Sequence, residues 1–428
     1  MKKILTALVL LFFGIATSQA QNEPKYGIEF SGFVKTDLIR DSRQTISIRE
    51  GHFLLYPAPE IPDANGSDIN AVPNFNFLSI QTRLHGKITG PDAFGAKTSG
   101  AIEGEFFGHS DGDINGFRLR HAFAKLSWTS TELMVGQYWH PLFATNCFPD
   151  VVSFNTGAPF IAFSRNPQVR LTQKFDGFKV SLTALSQRDF TSNGPGGASS
   201  KFLRNSGLPA MNLLLEYEFK NEDKGTSFQL GVAGNYKILK PRITTSPPDF
   251  PGIYYATSTT IGSFAYMGYA KAKLPEVTIK AGGFYAEDAF NLTMLGGYAE
   301  EKIVNVNTGE LSYTPFKTIS AWGDFHTNGK TVQAGLFIGY SENLGAVETF
   351  AGTAYVRGSD IDYLYRISPR IIYNAGKFRV APEIEYTVAA YATRNEVSKA
   401  LNINSKGQVT ESKEVSLIRL LIGIYYFF

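Results

Sequence analysis

The chain of 428 residues holds one cysteine, Cys147, so no internal disulfide can form even after export to an oxidising compartment. Its thiol reads as inert and apolar. Long apolar runs are missing after residue 20: Lys, Arg, Glu, Asp or Gln interrupts every hydrophobic stretch within a few residues, which excludes a helical membrane protein. A dominant charge is missing too. The formal net charge is +3, and without Lys2 and Lys3 it falls to +1, so nothing points to nucleic acid as a partner. The six histidines, His52, His85, His109, His121, His140 and His326, show no ligand spacing, and no metal is expected. The Gly-rich piece GPDAFGAKTSG precedes no helix, which excludes a phosphate loop. His52 with Asp63 is a conceivable catalytic pair that no signature singles out, so neither an enzyme nor a cofactor is expected.

What is present is aromatic and glycine-rich: 34 Phe and 21 Tyr bring aromatics to 14%, beside 41 Gly. Mean hydropathy is only −0.10. At the start, Lys2 and Lys3 precede an apolar run from Ile4 to Ile15, and small residues follow at Ser18 and Ala20. This is the order of a secretory signal peptide, with cleavage expected after Ala20. The run is too short for a spanning helix, which needs about 20 residues. The mature part, residues 21–428, shows no linker and reads as one domain.

Period-two alternation runs through that mature part. In NFLSIQTRLHGKI from Asn76, Leu78, Ile80, Thr82, Leu84 and Ile88 alternate with Ser79, Gln81, Arg83, His85 and Lys87. One face is oily and the other wet. Similar runs are expected at 27–39, 76–88, 98–108, 117–128, 132–139, 167–175, 178–187, 211–220, 227–237, 264–274, 277–286, 318–326, 331–341, 363–373, 377–389 and 415–428. About sixteen strands result, most of a length that suits a tilted crossing of a membrane.

Their connections alternate by parity. One set is tight (129–131, 176–177, 221–225, 275–276, 328–329, 374–376), and the other is mostly long (40–75, 140–166, 188–210, 238–263, 287–317, 342–362, 390–414). The stretch 109–116 is short among the long ones, and 89–97 is the longest turn. Short periplasmic turns and long external loops are the asymmetry of outer-membrane barrels. An open strand edge in lipid would leave unpaired N–H and C=O groups, each costing several kcal/mol, so the first strand must pair with the last. The expected fold is therefore all-β: an antiparallel transmembrane β-barrel of about sixteen strands in the bacterial outer membrane.

The wet face supplies the lumen. Its residues include Lys35, Asp37, Arg83, Lys87, Glu103, Glu105, Arg170, Lys174, Glu216, Glu218, Arg366, Arg370, Arg379, Glu383 and Glu385. On the lipid face at mid-depth each would cost roughly 2 to 4 kcal/mol. The last strand sets Leu420, Ile422, Ile424, Tyr426 and the terminal Phe428 on one face. This looks like the C-terminal signal read by the outer-membrane assembly machinery.

The block RLRHAFAKLSWTSTELMVGQYWHPL from Arg118 resembles the third-to-fifth-strand region of trimeric bacterial porins. GFVKTDLIRDSR at Gly32 and RLHGKITGPDAFGAKTSGAIEGEFFG at Arg83 are similar to the opening of the DcaP-like porins. The likeness covers residues 27–145. It implies a homotrimer, a pore wall of arginines on neighbouring strands, and a loop after the fifth strand that folds inward. Arg83, Arg118 and Arg120 match the wall, and the stretch from Trp139 to Arg165 matches the loop. That loop is rich in Phe and Pro, and Asp150 is its only acid. Residues 117–128 switch phase, which leaves open which of Arg118, His121 and Lys125 face the lumen.

The resulting expectation is a passive channel for small hydrophilic solutes with no cofactor, whose positively charged constriction favours small anions such as carboxylates. Its pore-lining set is Arg83, Lys87, Glu103, Glu105, Arg118, Arg120, Asp150, Arg170, Lys174, Arg366 and Arg370. The alternatives are a barrel for hydrophobic compounds and a surface barrel or adhesin plugged by its own loops. About 400 residues leave no room for a plug domain and twenty-two strands, which argues against an active transporter.

Overall fold

The computed structural model describes residues 26–428, so the expected leader over residues 1–20 lies outside the described residues. The crossing strands are β1 (Gly27–Asp41), β2 (in two pieces, Asn74–Leu78 and Arg83–Thr89), β3 (Lys97–Glu105), β4 (Arg118–Ser127), β5 (Thr131–Trp139), β6 (Arg165–Lys174), β7 (Phe178–Leu185) and β8 (Ala210–Asn221). They continue as β9 (Thr226–Leu239), β10 (Ile261–Lys273), β11 (Val277–Glu287), β12 (Glu310–Thr327), β13 (Val332–Ala346), β14 (Ile361–Ala375), β15 (Phe378–Ala392) and β16 (Ser412–Phe427). Nineteen segments join one sheet; two belong to an external extension and two are the halves of β2, which leaves sixteen crossings. β1 pairs with β16 from Phe33↔Phe427 to Asp41↔Arg419, and on its other side with both pieces of β2, so the sheet closes. All pairings between neighbours are antiparallel.

Alternation sorts the two faces. On β16, Val415, Leu417, Arg419 and Leu421 are at most 4% exposed, whereas Ile418, Leu420 and Ile422 are 40–47% exposed. Bare side chains of the same kind recur around the wall, among them Leu213, Val232, Tyr266, Ile338 and Ile371. An apolar belt that encircles a molecule is far larger than any patch a soluble protein tolerates, and it fits a hydrocarbon layer.

Two strands depart most from the expected ranges. Over 76–88 the strand breaks between Leu78 and Arg83, where β2 holds one residue more than β1 between the registers Asp37↔Leu78 and Phe33↔Arg83. Side chains replace the lost ladder: the Lys35 amide donates to Thr82 Oγ1 (3.1 Å), and the Thr36 and Ser79 hydroxyls meet at 2.8 Å. β12 begins at Glu310 and not near 318, because its first half pairs outside the barrel with Gly296–Asn305, which in turn pairs with Ala354–Arg357.

The interior is packed by loops. As the resemblance implied, the stretch after β5 folds inward, and Leu142, Phe143, Phe154, Phe160, Ile161 and Phe163 form a buried cluster inside the barrel. The first long loop, 40–75, was expected outside, yet it also turns in. Its hairpin pairs Thr45–Ile48 with Phe53–Pro57, and the second segment is wholly buried. Arg366 Nη2 donates to Leu55 O (2.8 Å), the Tyr391 hydroxyl donates to Pro57 O (2.7 Å), and Phe53 packs on Phe154 and Phe163.

Candidate permeation site

A loop inside a barrel must bring partners for its own backbone. Here the wall supplies them. Glu383 of β15 accepts the amides of Val152 (2.6 Å) and Ser153 (3.3 Å), while Lys35 of β1 donates to Val152 O (2.9 Å). Glu385 accepts from Asn155 Nδ2 (2.8 Å), Arg366 Nη1 donates to Ala158 O (3.0 Å), and Ser320 Oγ donates to Phe160 O (2.8 Å). On the far wall, Lys271 Nζ donates to Asn146 O (3.0 Å), and Lys280 Nζ reaches both Phe148 O (2.9 Å) and the Asp150 carboxylate (2.6 Å). Burial alone would raise the Asp150 carboxyl, but the His326 hydrogen bond and the Lys280 charge hold it below the usual range. Cys147, in the same loop, is buried against Ala270 O, and burial pushes its thiol up to about 12.

The arginine wall is set by one β-bulge. The β3–β4 register runs Glu103↔His121 and then Gly104↔Leu119, so Arg120 is the extra residue. Leu119 points to lipid, and Arg118, Arg120 and His121 all turn inward, as a bulge allows by adding one residue to the period of two. Past the bulge, Lys125 faces in and meets Glu132 at 3.1 Å. The phase switch in the sequence is this bulge.

Carboxylates largely neutralise the wall. Glu105 lies 2.5 Å from Arg120, 2.8 Å from Arg118, 3.1 Å from Arg83 and 3.6 Å from Arg165. Glu103 meets Arg120 at 2.6 Å, and Asp189 meets Arg165 at 2.7 Å and Arg118 at 3.0 Å. Four guanidinium groups thus face three carboxylates, so the wall carries +1, where Arg83, Arg118 and Arg120 alone would give +3. Arg165 and Asp189 were not singled out from sequence, because neither belongs to a motif.

Below the wall, on the side of the short turns, opens a cavity of about 630 Å³. β2 to β5, β12 to β16 and the inward loop line it; β6 to β11 contribute nothing. Its charged lining is Arg83, Arg120, Arg370 and Arg379 against Glu103 and Asp150, a formal +2 with His121 and His326 neutral. Arg370 is held in a two-pronged pair with Asp324 (2.8 and 3.0 Å). Arg379 differs: its Nε donates to Asn374 Oδ1 (2.8 Å), it stacks over Tyr425 and Phe427, and it has no carboxylate partner among the described residues.

The structure therefore brings together Arg83, Glu103, Arg120, Asp150 and Arg370 of the expected lining. Arg118, Glu105 and Arg366 point inward but are buried, and none of them lines the cavity. Arg366 is a strut for the two inward loops, bonded to Leu55 O, Ala158 O and Thr387. Arg170 bonds Gln168 and Trp139 O, Lys174 pairs with Glu132 (3.5 Å), and Lys87 stands exposed near the end of β2; these three lie off the cavity.

The histidines resolve likewise. His52 meets Asp37 (2.7 Å) and not Asp63, inside the packed core. His140 is buried, and burial, then Lys237 and Arg170, lowers it to about 3. Asp150, Asp324 and His326 offer ligand atoms within 4.8 Å of one another, but Lys280 and Arg370 already compensate both acids.

A closed sixteen-strand barrel with an apolar outer belt, a charged lumen and a loop folded across it has the architecture of an outer-membrane porin. Solved structures agree at the level of the fold. The chain is similar to the outer-membrane channel DcaP of Acinetobacter baumannii, with 14% identity, 96% of this chain and 100% of that one covered, and a TM-score of 0.66. It is also similar to an anion-selective porin from Comamonas acidovorans (12% identity, 94% and 100% covered, TM-score 0.53). OmpT, an outer membrane protein of Vibrio cholerae, follows at 11% identity, 96% and 100% covered, with a TM-score of 0.54. No protein-family model and no curated protein matches the sequence. The chain has the fold of the outer-membrane porins.

Proposed function

We propose that this protein is a passive, non-enzymatic diffusion channel for small hydrophilic solutes with a weak preference for anions such as carboxylates. The observation that carries the preference is Arg379, the guanidinium of the cavity lining without a carboxylate partner among the described residues. A polar, arginine-bearing lining argues against hydrophobic cargo. In a KCl gradient the reversal potential should show modest chloride preference, which Arg379→Gln should reduce toward zero. Raising the salt should weaken it as the Debye length falls below about 10 Å. A cation-selective channel, or unchanged selectivity in Arg379→Gln, would overturn the anion reading. The many bonds between loops and wall favour a second reading, a surface barrel plugged by its own loops, and a protein that gives neither conductance nor liposome swelling would establish it.

The same reading includes removal of residues 1–20, assembly as a homotrimer, and delivery through the last strand. The Phe428 amide donates to Gly32 O (3.2 Å) and its ring lies against Gly32, so the terminal residue helps close the barrel as well as signal. Tyr426→Ala with Phe428→Ala should cut outer-membrane insertion several-fold while export continues. Heat-modifiable migration of membrane fractions measures this, and undiminished folded protein would reject the signal.

A further inference from the structure

The strands that contribute nothing to the cavity carry a polar row of their own. Thr183 on β7 lies opposite Asn212 on β8, and Asn212 lies opposite Asn235 on β9, in one cross-strand register row. Ser263 on β10 lies opposite Lys237, the next inward residue along β9. The four are buried, at 0%, 1%, 7% and 2% exposure. Yet Thr183 Oγ1, both amide atoms of Asn212, Asn235 Oδ1 and Ser263 Oγ have no hydrogen-bond partner. The row sits between two apolar layers. Beneath it are Leu214 and Ala233, packed on the inward loop; above it are Leu185, Ala210, Leu239 and Ile261, capped by Phe202 and Leu203 of the short helix Lys201–Arg204.

Desolvated polar atoms left unpaired cost more than an ordinary hydrogen bond gains, and several in one row would be selected against if the row only packed. Charge at this level is already spent internally: Lys237 holds Asp288 (3.1 Å) and Asn291, and Arg170, opposite Thr183, is tied to Gln168 and Trp139 O. What remains free is a set of neutral donors and acceptors. We propose that Thr183, Asn212, Asn235 and Ser263 form a solute subsite on the long-loop side of the inward loop, which binds the uncharged hydroxyl groups of a polyhydroxylated solute beneath the Phe202–Leu203 cap. The proposal rests on the channel reading, for a solute must reach the site from the external side.

Asn212→Cys and Thr183→Cys, each in a Cys147→Ser background, test it with an uncharged methanethiosulfonate reagent and with ribose as the probe solute. Both should be modified in the folded, heat-modifiable protein at least about tenfold faster than the buried Cys147 of the parent chain. Ribose should slow the modification several-fold, and Phe202→Ala should accelerate it. Modification no faster than that of Cys147 at both positions would show a dry, structural row and overturn the proposal, as would labelling that ribose does not slow. Conductance recorded on the same preparations separates the two failures: a conducting barrel without protection refutes the subsite alone, and a silent barrel refutes the channel.

Discussion

Glu105→Ala should be the most damaging single change in the lumen. Its carboxylate, fully buried, is shared by Arg83, Arg118, Arg120 and Arg165, all within 3.6 Å. Removing one partner of a buried ion pair costs about 3–5 kcal/mol, because the remaining charge stays desolvated. Here four guanidinium groups would be left with Glu103 and Asp189 alone. We expect a marked drop in the temperature at which the folded band converts on gels, with much of the protein failing to assemble. Glu105→Gln separates charge from shape. It keeps an oxygen acceptor and the side-chain volume, so more barrels should fold, and these should prefer chloride more strongly than the parent. If Glu105→Gln changes neither the transition nor the reversal potential, the cluster contributes neither to assembly nor to selectivity.

That cluster marks how far the sequence could be read. Strand alternation was legible because lipid imposes it, but its phase switch over residues 117–128 left open which of Arg118, His121 and Lys125 face the lumen, and only the bulge at Arg120 resolves it. The Glu105–Arg118 pairing was within reach as well, since the two face each other across the short connection 109–116. The pairing turns an apparent anion wall into a nearly balanced one. Asp189 was out of reach, because it arrives from a different loop, 71 residues from Arg118. The segment Phe53–Pro57 shows the same limit. Its apolar run reads like any buried strand, and the groups that hold it, Arg366 and Tyr391, lie more than 300 residues away. Turn chemistry and periodicity are local, whereas a loop's decision to enter the lumen depends on partners the local pattern does not contain. Arg366 illustrates the consequence, an inward arginine by parity whose donors serve loop carbonyls and not solutes.

Loosening the inward loop should change the channel more than any substitution of a lining charge, and Glu383 is the place to do it. Its carboxylate accepts the amides of Val152 and Ser153, while Lys35 holds Val152 O from the neighbouring wall, so the loop is gripped by donor and acceptor at one residue. A buried donor left without an acceptor costs about 1–3 kcal/mol, and Glu383→Ala strands both amides. The tethers at Asn155, Ala158 and Phe160 remain, so the barrel should still fold and the disturbance should stay local. The freed stretch from Phe148 to Ser153 forms one side of the cavity. A loss of about 3 kcal/mol raises the population of a displaced loop more than a hundredfold, at 1.4 kcal/mol per tenfold. We expect larger and noisier single-channel conductance in Glu383→Ala. Glu383→Gln, which keeps one of the two acceptor oxygens, should fall between it and the parent. Asp150 would move with the loop away from Lys280 and His326, so selectivity should change together with conductance. Folded Glu383→Ala barrels with the parent's conductance and noise would show that this clamp does not set the constriction.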